Sequence, residues 1–313
     1  MTSHPALRAL ALLPVAALLA ACGSSSTGSG ATPEVAAPIP VVAGFYPLEW
    51  AAETVGGDRV SVTSLTAPGA EPHDLELTPQ QVAAVTDARL VLYIGEFQPA
   101  LDDAIAQSPD PSVDVAAGLE TLAPEEHSDD EHAGEEHSDE ASYDPHVWLD
   151  PANMASIVAT VAQRLSSIDP AGAATFAANA SALQDRLTAL DEQWRTGTTT
   201  CTNRDLVVSH EAFGYLAQRY GFTQVGISGL APDTEPSPAK IAEVADFVRA
   251  NKVTTVYYET LVDPKVAETV AQETGAATAV LDPLEGLAEG STDDYISVME
   301  KNLQTVKAGQ GCS

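Results

Sequence analysis

The stretch AGAATFAANASALQDRLTALDEQW (171–194) carries Phe176, Leu183, Leu187, Leu190 and Trp194 at helical spacing, and no Gly or Pro follows Gly172 within it. Apolar residues recurring every three to four positions lie on one face of a helix. At 1.5 Å per residue such a helix is about 35 Å long. A shorter run, Asn153 to Ser166, precedes it with Met154, Ile157, Val158, Val161 and Leu165 on one face. On either side of this pair, short apolar segments alternate with helical ones. That alternation is the signature of a parallel sheet covered by helices. The long helix therefore reads as a stiff connector between two α/β halves.

The amino-terminal half opens with a strand at Pro40–Phe45, a helix at Leu48–Val55 and a β-branched strand at Val60–Leu65. Thr78 is placed as an N-cap with Pro79 at the first helical position, the helix running to about Thr86. Leu90 to Gly95 is a continuous apolar run ended by glycine, as expected of a central parallel strand. Phe97–Gln107 reads as a helix and Ser112–Val115 as a short strand. Beyond the connector, strands are expected at 205–209, 225–227, 254–258 and 278–281. Helices are expected at 212–220, 237–249, 264–274 and 293–307. The segments so defined are an amino-terminal lobe (39–168), a linking helix (169–196) and a carboxy-terminal lobe (197–313).

The first residues have the form of a secretion signal (1–21): Arg8, an apolar run from Ala9, and Leu19-Ala20-Ala21-Cys22 at its end. The apolar run is too short to span a bilayer as a stable helix. Small residues before a cysteine resemble a lipoprotein cleavage site, which would make Cys22 the lipidated first residue. Residues 22–38, rich in Ser, Gly, Ala and Pro, have the composition of a flexible tether. Both features place the mature chain outside the cytoplasm, lipid-anchored on the outer face of the membrane, or in the periplasm where there are two membranes. In an oxidising compartment the remaining cysteines, Cys201 and Cys312, are expected to pair. In the chain-entropy model a loop of that length contributes on the order of 4–5 kcal/mol. The formal charge of −31, from 45 acidic and 14 basic residues, excludes a generic nucleic-acid binder and favours cations.

Only seven histidines are present. His73, His146 and His210 stand in three separated motifs, GAEPHD (69–74), DPHVWLDP (144–151) and SHEAFGY (209–215). His127, His132 and His137 lie in the acidic tract 125–140, where Glu-His recurs and Ala133 is the single apolar residue. Such a tract cannot bury itself and reads as a mobile loop, either an auxiliary metal collector or a solvated insertion with incidental affinity. In open α/β sheets ligands bind beyond the carboxyl ends of the strands. His210 and Asp282 follow predicted strands directly, His73 follows the strand at 60–65 after a Pro-Gly turn, and His146 follows Pro145. The four are therefore expected to face one cleft as a tetrahedral N3O set, which suits zinc, whereas manganese prefers more oxygen. Glu71 and Glu259 are the alternatives for the fourth position.

The pieces GAEPHDLELTP (69–79), DPHVWLDP, SHEAFGYLAQRYG (209–221), EPSP (235–238) and LDPLEG (281–286) occur in one order from about residue 39 to the end. In this the chain resembles the ZnuA-like, cluster A-I solute-binding proteins of zinc and manganese ABC importers. The resemblance implies an α/β fold of two (β/α)4-type lobes with parallel sheets, joined by a long rigid helix, with metal in the interlobe cleft. It implies ligands at His73, His146, His210 and Asp282. It also implies a non-enzymatic, monomeric receptor that passes Zn2+ to a membrane permease. Manganese-type relatives usually carry a carboxylate where His210 stands, so His210 favours zinc. The alternatives are a Mn2+ or iron receptor of the same family, a surface adhesin, as related receptors have been described, and a zinc hydrolase. The sequence has no His-Glu-x-x-His helix of the hydrolase type.

Overall fold

Two parallel sheets of four strands each, laid out in the same order, frame the molecule. The computed structural model describes residues 37–107, 109–124, 141–232 and 235–313. The signal segment, Cys22 and the tract histidines His127, His132 and His137 lie outside the described residues. The amino-terminal sheet is built from β1 (Ile39–Ala43), β2 (Val60–Ser64), β3 (Leu90–Tyr93) and β4 (Ser112–Asp114), in the order β2-β1-β3-β4. The carboxy-terminal sheet is built from β5 (Asp205–Val208), β6 (Thr223–Gly226), β7 (Thr255–Tyr258) and β8 (Ala277–Val280), in the order β6-β5-β7-β8. Register pairs Val41 with Val62 and Leu90 in the first sheet, and Val207 with Val225 and Val256 in the second.

In each sheet the strand order reverses beside the first strand, between β1 and β3 and between β5 and β7. At such a reversal the loops leaving the carboxyl ends diverge and open a crevice. The crossovers are helices α1 (Tyr46–Gly56), α2 (Pro79–Asp87) and α3 (Pro99–Gln107) in the first half. In the second half they are α6 (Gly214–Tyr220), α7 (Pro238–Asn251) and α8 (Lys265–Thr274), with α9 (Tyr295–Gly309) closing the chain. Thr78 caps α2 in a capping box with Gln81, as Asp294 caps α9 with Ser297.

Between the halves lie α4 (Pro151–Ile168) and the 26-residue α5 (Ala173–Thr198). The α5 face carrying Phe176, Leu183, Leu187, Leu190 and Trp194 is buried, as its spacing predicts. The helix continues past Trp194 through Gly197, where a Cβ would come within 3.2 Å of Leu303 on α9. Glycine there lets two helices approach closely. One apolar cluster runs through both halves, from Val41 and Leu92 through Trp148, Met154 and Leu187 to Leu206, Leu216 and Met299. A smaller cluster around Val207, Val248, Val256 and Val270 packs α7 and α8 on the second sheet. Cys201 and Cys312 are joined, tying the end of α5 to the chain terminus.

Candidate metal centre

Three imidazoles and one carboxylate from four distant segments come together where the halves meet. One ligand-type atom from each of His73, His146, His210 and Glu285 lies within 4.8 Å of the others. The ring centroids of His146 stand 5.5 Å from those of His73 and 5.3 Å from those of His210. Glu285 Oε1 is the shared focus, 3.1 Å from His210 Nε2, 3.4 Å from His146 Nε2 and 3.5 Å from His73 Nε2. The side chains of His146, His210 and Glu285 are at most 1% exposed, whereas His73 is 10% exposed and is the most accessible of the four.

Each ring is held by its own local chemistry. His146 begins a one-turn 3-10 segment (Val147–Leu149) whose three residues are buried. Asp144 Oδ1 accepts from the His146 backbone N–H at 2.9 Å and pairs with ring Nδ1 at 2.7 Å. His210 lies two residues beyond the end of β5, and its Nδ1 pairs with Glu259 Oε1 at 2.8 Å; Glu259 follows the neighbouring strand β7 directly. A carboxylate on Nδ1 fixes tautomer and orientation and leaves Nε2 free to ligate. His73 lies in the loop between β2 and α2, where Glu71 Oε1 accepts its backbone N–H at 3.0 Å and the Phe97 ring packs edge-on 4.6 Å away. Glu71 and Glu259, weighed as the fourth ligand, are thus seen holding histidines.

Asp282 is not part of the group, and the expectation for it is corrected. Its carboxylate accepts from the Leu284 N–H at 2.8 Å and from Thr260 Oγ1 at 3.1 Å. Its backbone is clamped at both ends by the Asn302 side chain on α9. The chain then turns through Pro283 and Leu284, whose φ of 58° is left-handed, and Glu285 points inward instead. Trp148 from the other half donates its indole N–H to Pro283 O at 2.8 Å, so both halves set the Glu285 loop. A strand-end count places Asp282 first; the side chain–backbone turn that moves the inward position three residues on is the signal it misses.

Electrostatics follow from burial among carboxylates. Burial pushes His73 below the ordinary histidine value. Burial also opposes the charged form of His146, but the Asp144 carboxylate overcomes it and leaves the ring raised. For His210 burial is outweighed by Glu259 and Glu285, and the ring titrates well above its ordinary value. Burial would raise Glu285; the His210 charge and the three imidazoles instead hold it well below the usual carboxylate range. Burial and the nearby Glu285 push Glu71 up to about 8. His73 Nε2, His146 Nε2 and the second oxygens of Glu285, Glu71 and Glu259 are buried without hydrogen-bond partners. Among these, the unpartnered His73 and His146 nitrogens belong to the converging group with His210 and Glu285; a cation would satisfy them, and three N with one O suits zinc.

A family model described as zinc-uptake complex component A, periplasmic (ZnuA), matches residues 41–309. The chain belongs to the ZnuA family. It is 37% identical over 299 residues to the zinc-binding lipoprotein AdcA of Streptococcus pneumoniae, a match covering 93% of this chain and 58% of that protein. The chain thus spans little more than half the length of that relative. It is 36% identical over 297 residues to the high-affinity zinc uptake system protein ZnuA of Bacillus subtilis, covering 93% of each. Among solved ZnuA-like structures, the Zn(II)-bound ZnuA-like domain of Streptococcus pneumoniae AdcA superposes with a TM-score of 0.73 at 33% identity, covering 87% of this chain and 99% of that one. The laminin-binding protein Lbp of Streptococcus pyogenes superposes at 0.74 with 29% identity, with the same coverage.

Proposed function

We propose that this chain is an extracytoplasmic receptor that binds zinc with high affinity through His73, His146, His210 and Glu285 and delivers it to an ABC import permease. The observation that carries the reading is the buried convergence of three imidazoles and one carboxylate from four separate segments. Similarity to AdcA, a zinc-binding lipoprotein, and to the Bacillus subtilis ZnuA, a high-affinity zinc uptake protein, supports it. Four protein groups complete a tetrahedral shell, whereas a catalytic zinc keeps one position open for water. That difference supports a receptor over a hydrolase. With a nitrogen-rich shell, zinc is favoured over manganese. The reading includes lobes at 39–168 and 197–313 linked by 169–196, a lipid anchor at Cys22, a monomeric receptor, and a collecting role for His127, His132 and His137.

The test is metal analysis of protein purified without added metal, followed by competition titration of Zn2+ against Mn2+ for the wild type and for His73, His146, His210 and Glu285 variants. One tightly held zinc per chain, lost on substitution of those four, is expected. Undiminished zinc retention in all four variants, or preferred Mn2+, would sink the assignment.

A further inference from the structure

Gln98, immediately before α3, is 1% exposed. Its side-chain Nε2 lies 3.3 Å from Gly44 O, 3.1 Å from Thr66 Oγ1 and 3.2 Å from Pro72 O, while its Oε1 is buried with no partner. The two backbone carbonyls fix which way the amide faces, because exchanging its O and N would set oxygen against oxygen. Gly44 leaves room for it: a Cβ there would lie 2.4 Å from Oε1. A buried amide with a crowded donor and an orphaned acceptor is a poor choice for stability alone. Pro72 immediately precedes His73. Among the described residues, His146 has Asp144 on its Nδ1 and His210 has Glu259, but no carboxylate is seen on His73 Nδ1.

We infer that Gln98 is a positioning residue for His73: by donating to the Pro72 carbonyl it fixes, together with Glu71 on the His73 N–H, the backbone that aims this imidazole, where the other two are aimed through their rings. The inference rests on His73 being a zinc ligand. Replacement by methionine, similar in length and without polar atoms, isolates the role. The carbonyls do not become orphans, since Gly44 O still receives Thr66 Oγ1 at 2.9 Å and Pro72 O still receives the Leu75 N–H at 3.2 Å.

Wild type, Q98M, Q98E and H73A are compared by three readouts: zinc affinity against a competing chelator, the visible absorption of the Co2+-loaded protein, and the melting temperature of the metal-free protein. Q98M is expected to bind zinc about 10–100-fold more weakly, the range for groups that orient a ligand. Its cobalt spectrum should move toward that of H73A, with a metal-free melting temperature equal to or above wild type. Q98E, which faces carbonyl oxygens with a carboxylate, should be weaker still. Wild-type affinity and cobalt spectrum in Q98M, with both altered in H73A, would overturn the inference. So would a Q98M that fails to fold or melts lower with its cobalt spectrum unchanged, the marks of a purely structural residue. If H73A itself kept wild-type zinc affinity, the metal-centre reading would fail, and this inference with it.

Discussion

Asp282 and Glu285 occupy one loop three residues apart, and only the second presents its carboxylate to the imidazoles. Glu285→Gln keeps the shape and removes the charge, so zinc binding should weaken by more than the ~10–100-fold typical of an orienting group. Asp282→Asn alters only the turn and should stay within about tenfold of wild type; competition titration of the two variants decides between them. The same residues set a pH dependence. In the metal-free site the raised His210 and the depressed Glu285 form a charged pair. Because the folded His210 value is raised, its contribution to metal-free stability is full below about pH 6.5 and is lost as pH rises through the folded value. Because the Glu285 value is depressed, its contribution is present above the usual carboxylate range and is lost as pH falls through the folded value. On the proposed ligand set zinc would take His210 as the neutral ring, so binding near pH 7 should release protons. The check is calorimetry in buffers of different ionisation enthalpy: the apparent binding enthalpy should vary with the buffer, and zinc affinity should fall on acidification. A buffer-independent enthalpy would show the ring already neutral.

At the scale of elements, the sequence reading of strands and helices agrees with the structure to within a few residues, because central strands such as β3 are apolar runs and α2, α4, α7 and α9 carry side-chain caps in sequence. Thr78 and the long apolar face of α5 were legible from side-chain chemistry alone. The three motif histidines could be found because each sits where a strand or a Pro-containing turn ends. Glu285, Gln98 and Trp148 were not legible in their roles, since those depend on a left-handed turn and on contacts across the molecule. The same holds for the link between α5 and α6. Asp191 on α5 accepts from Arg219 Nε at 2.7 Å and from Tyr220 Oη at 3.0 Å, both on α6, while Arg219 also reaches Asp150, the cap of α4. Asp191→Ala removes the buried hub but leaves Arg219, 28% exposed, able to find water. The expected loss is about 1–3 kcal/mol, below the 3–5 of a fully buried pair, read as a lower melting temperature. The disulfide acts at the other end of the sheet. Gln310, two residues from Cys312, accepts from the Thr202 N–H, and Thr254 Oγ1 donates to Gly309 O, so the bond sits at the amino ends of β5 and β7 while the candidate metal centre lies beyond their carboxyl ends. Replacing Cys201 and Cys312 by serine should therefore lower the melting temperature, by up to about 4–5 kcal/mol of stability, and leave zinc affinity within about threefold. A large affinity loss in that variant would show that the two ends of the sheet are coupled.

For the whole molecule, the question is how a cation enters a site buried between two lobes. A receptor that closes like a hinge needs an interface that separates, and here the apolar cluster is continuous from β1 through α4 and α5 to α9. The Trp50 and Tyr295 rings, one from each half, stack 4.9 Å apart; Tyr295 donates to Trp148 O at 2.6 Å, and Trp148 donates to Pro283 O. Parting the lobes would expose all of this, so wide opening is disfavoured and the motion falls to loops at the site. His73, the most exposed of the four side chains, lies on the loop between β2 and α2. Zinc loading should therefore leave the radius of gyration measured by X-ray scattering unchanged within error. Hydrogen exchange should slow in the loop between β2 and α2, around His146 and around Glu285, with no change along α5. A radius that shrinks on loading, or protection that spreads down α5, would mean that the lobes do move as bodies and that the shared core yields to let them.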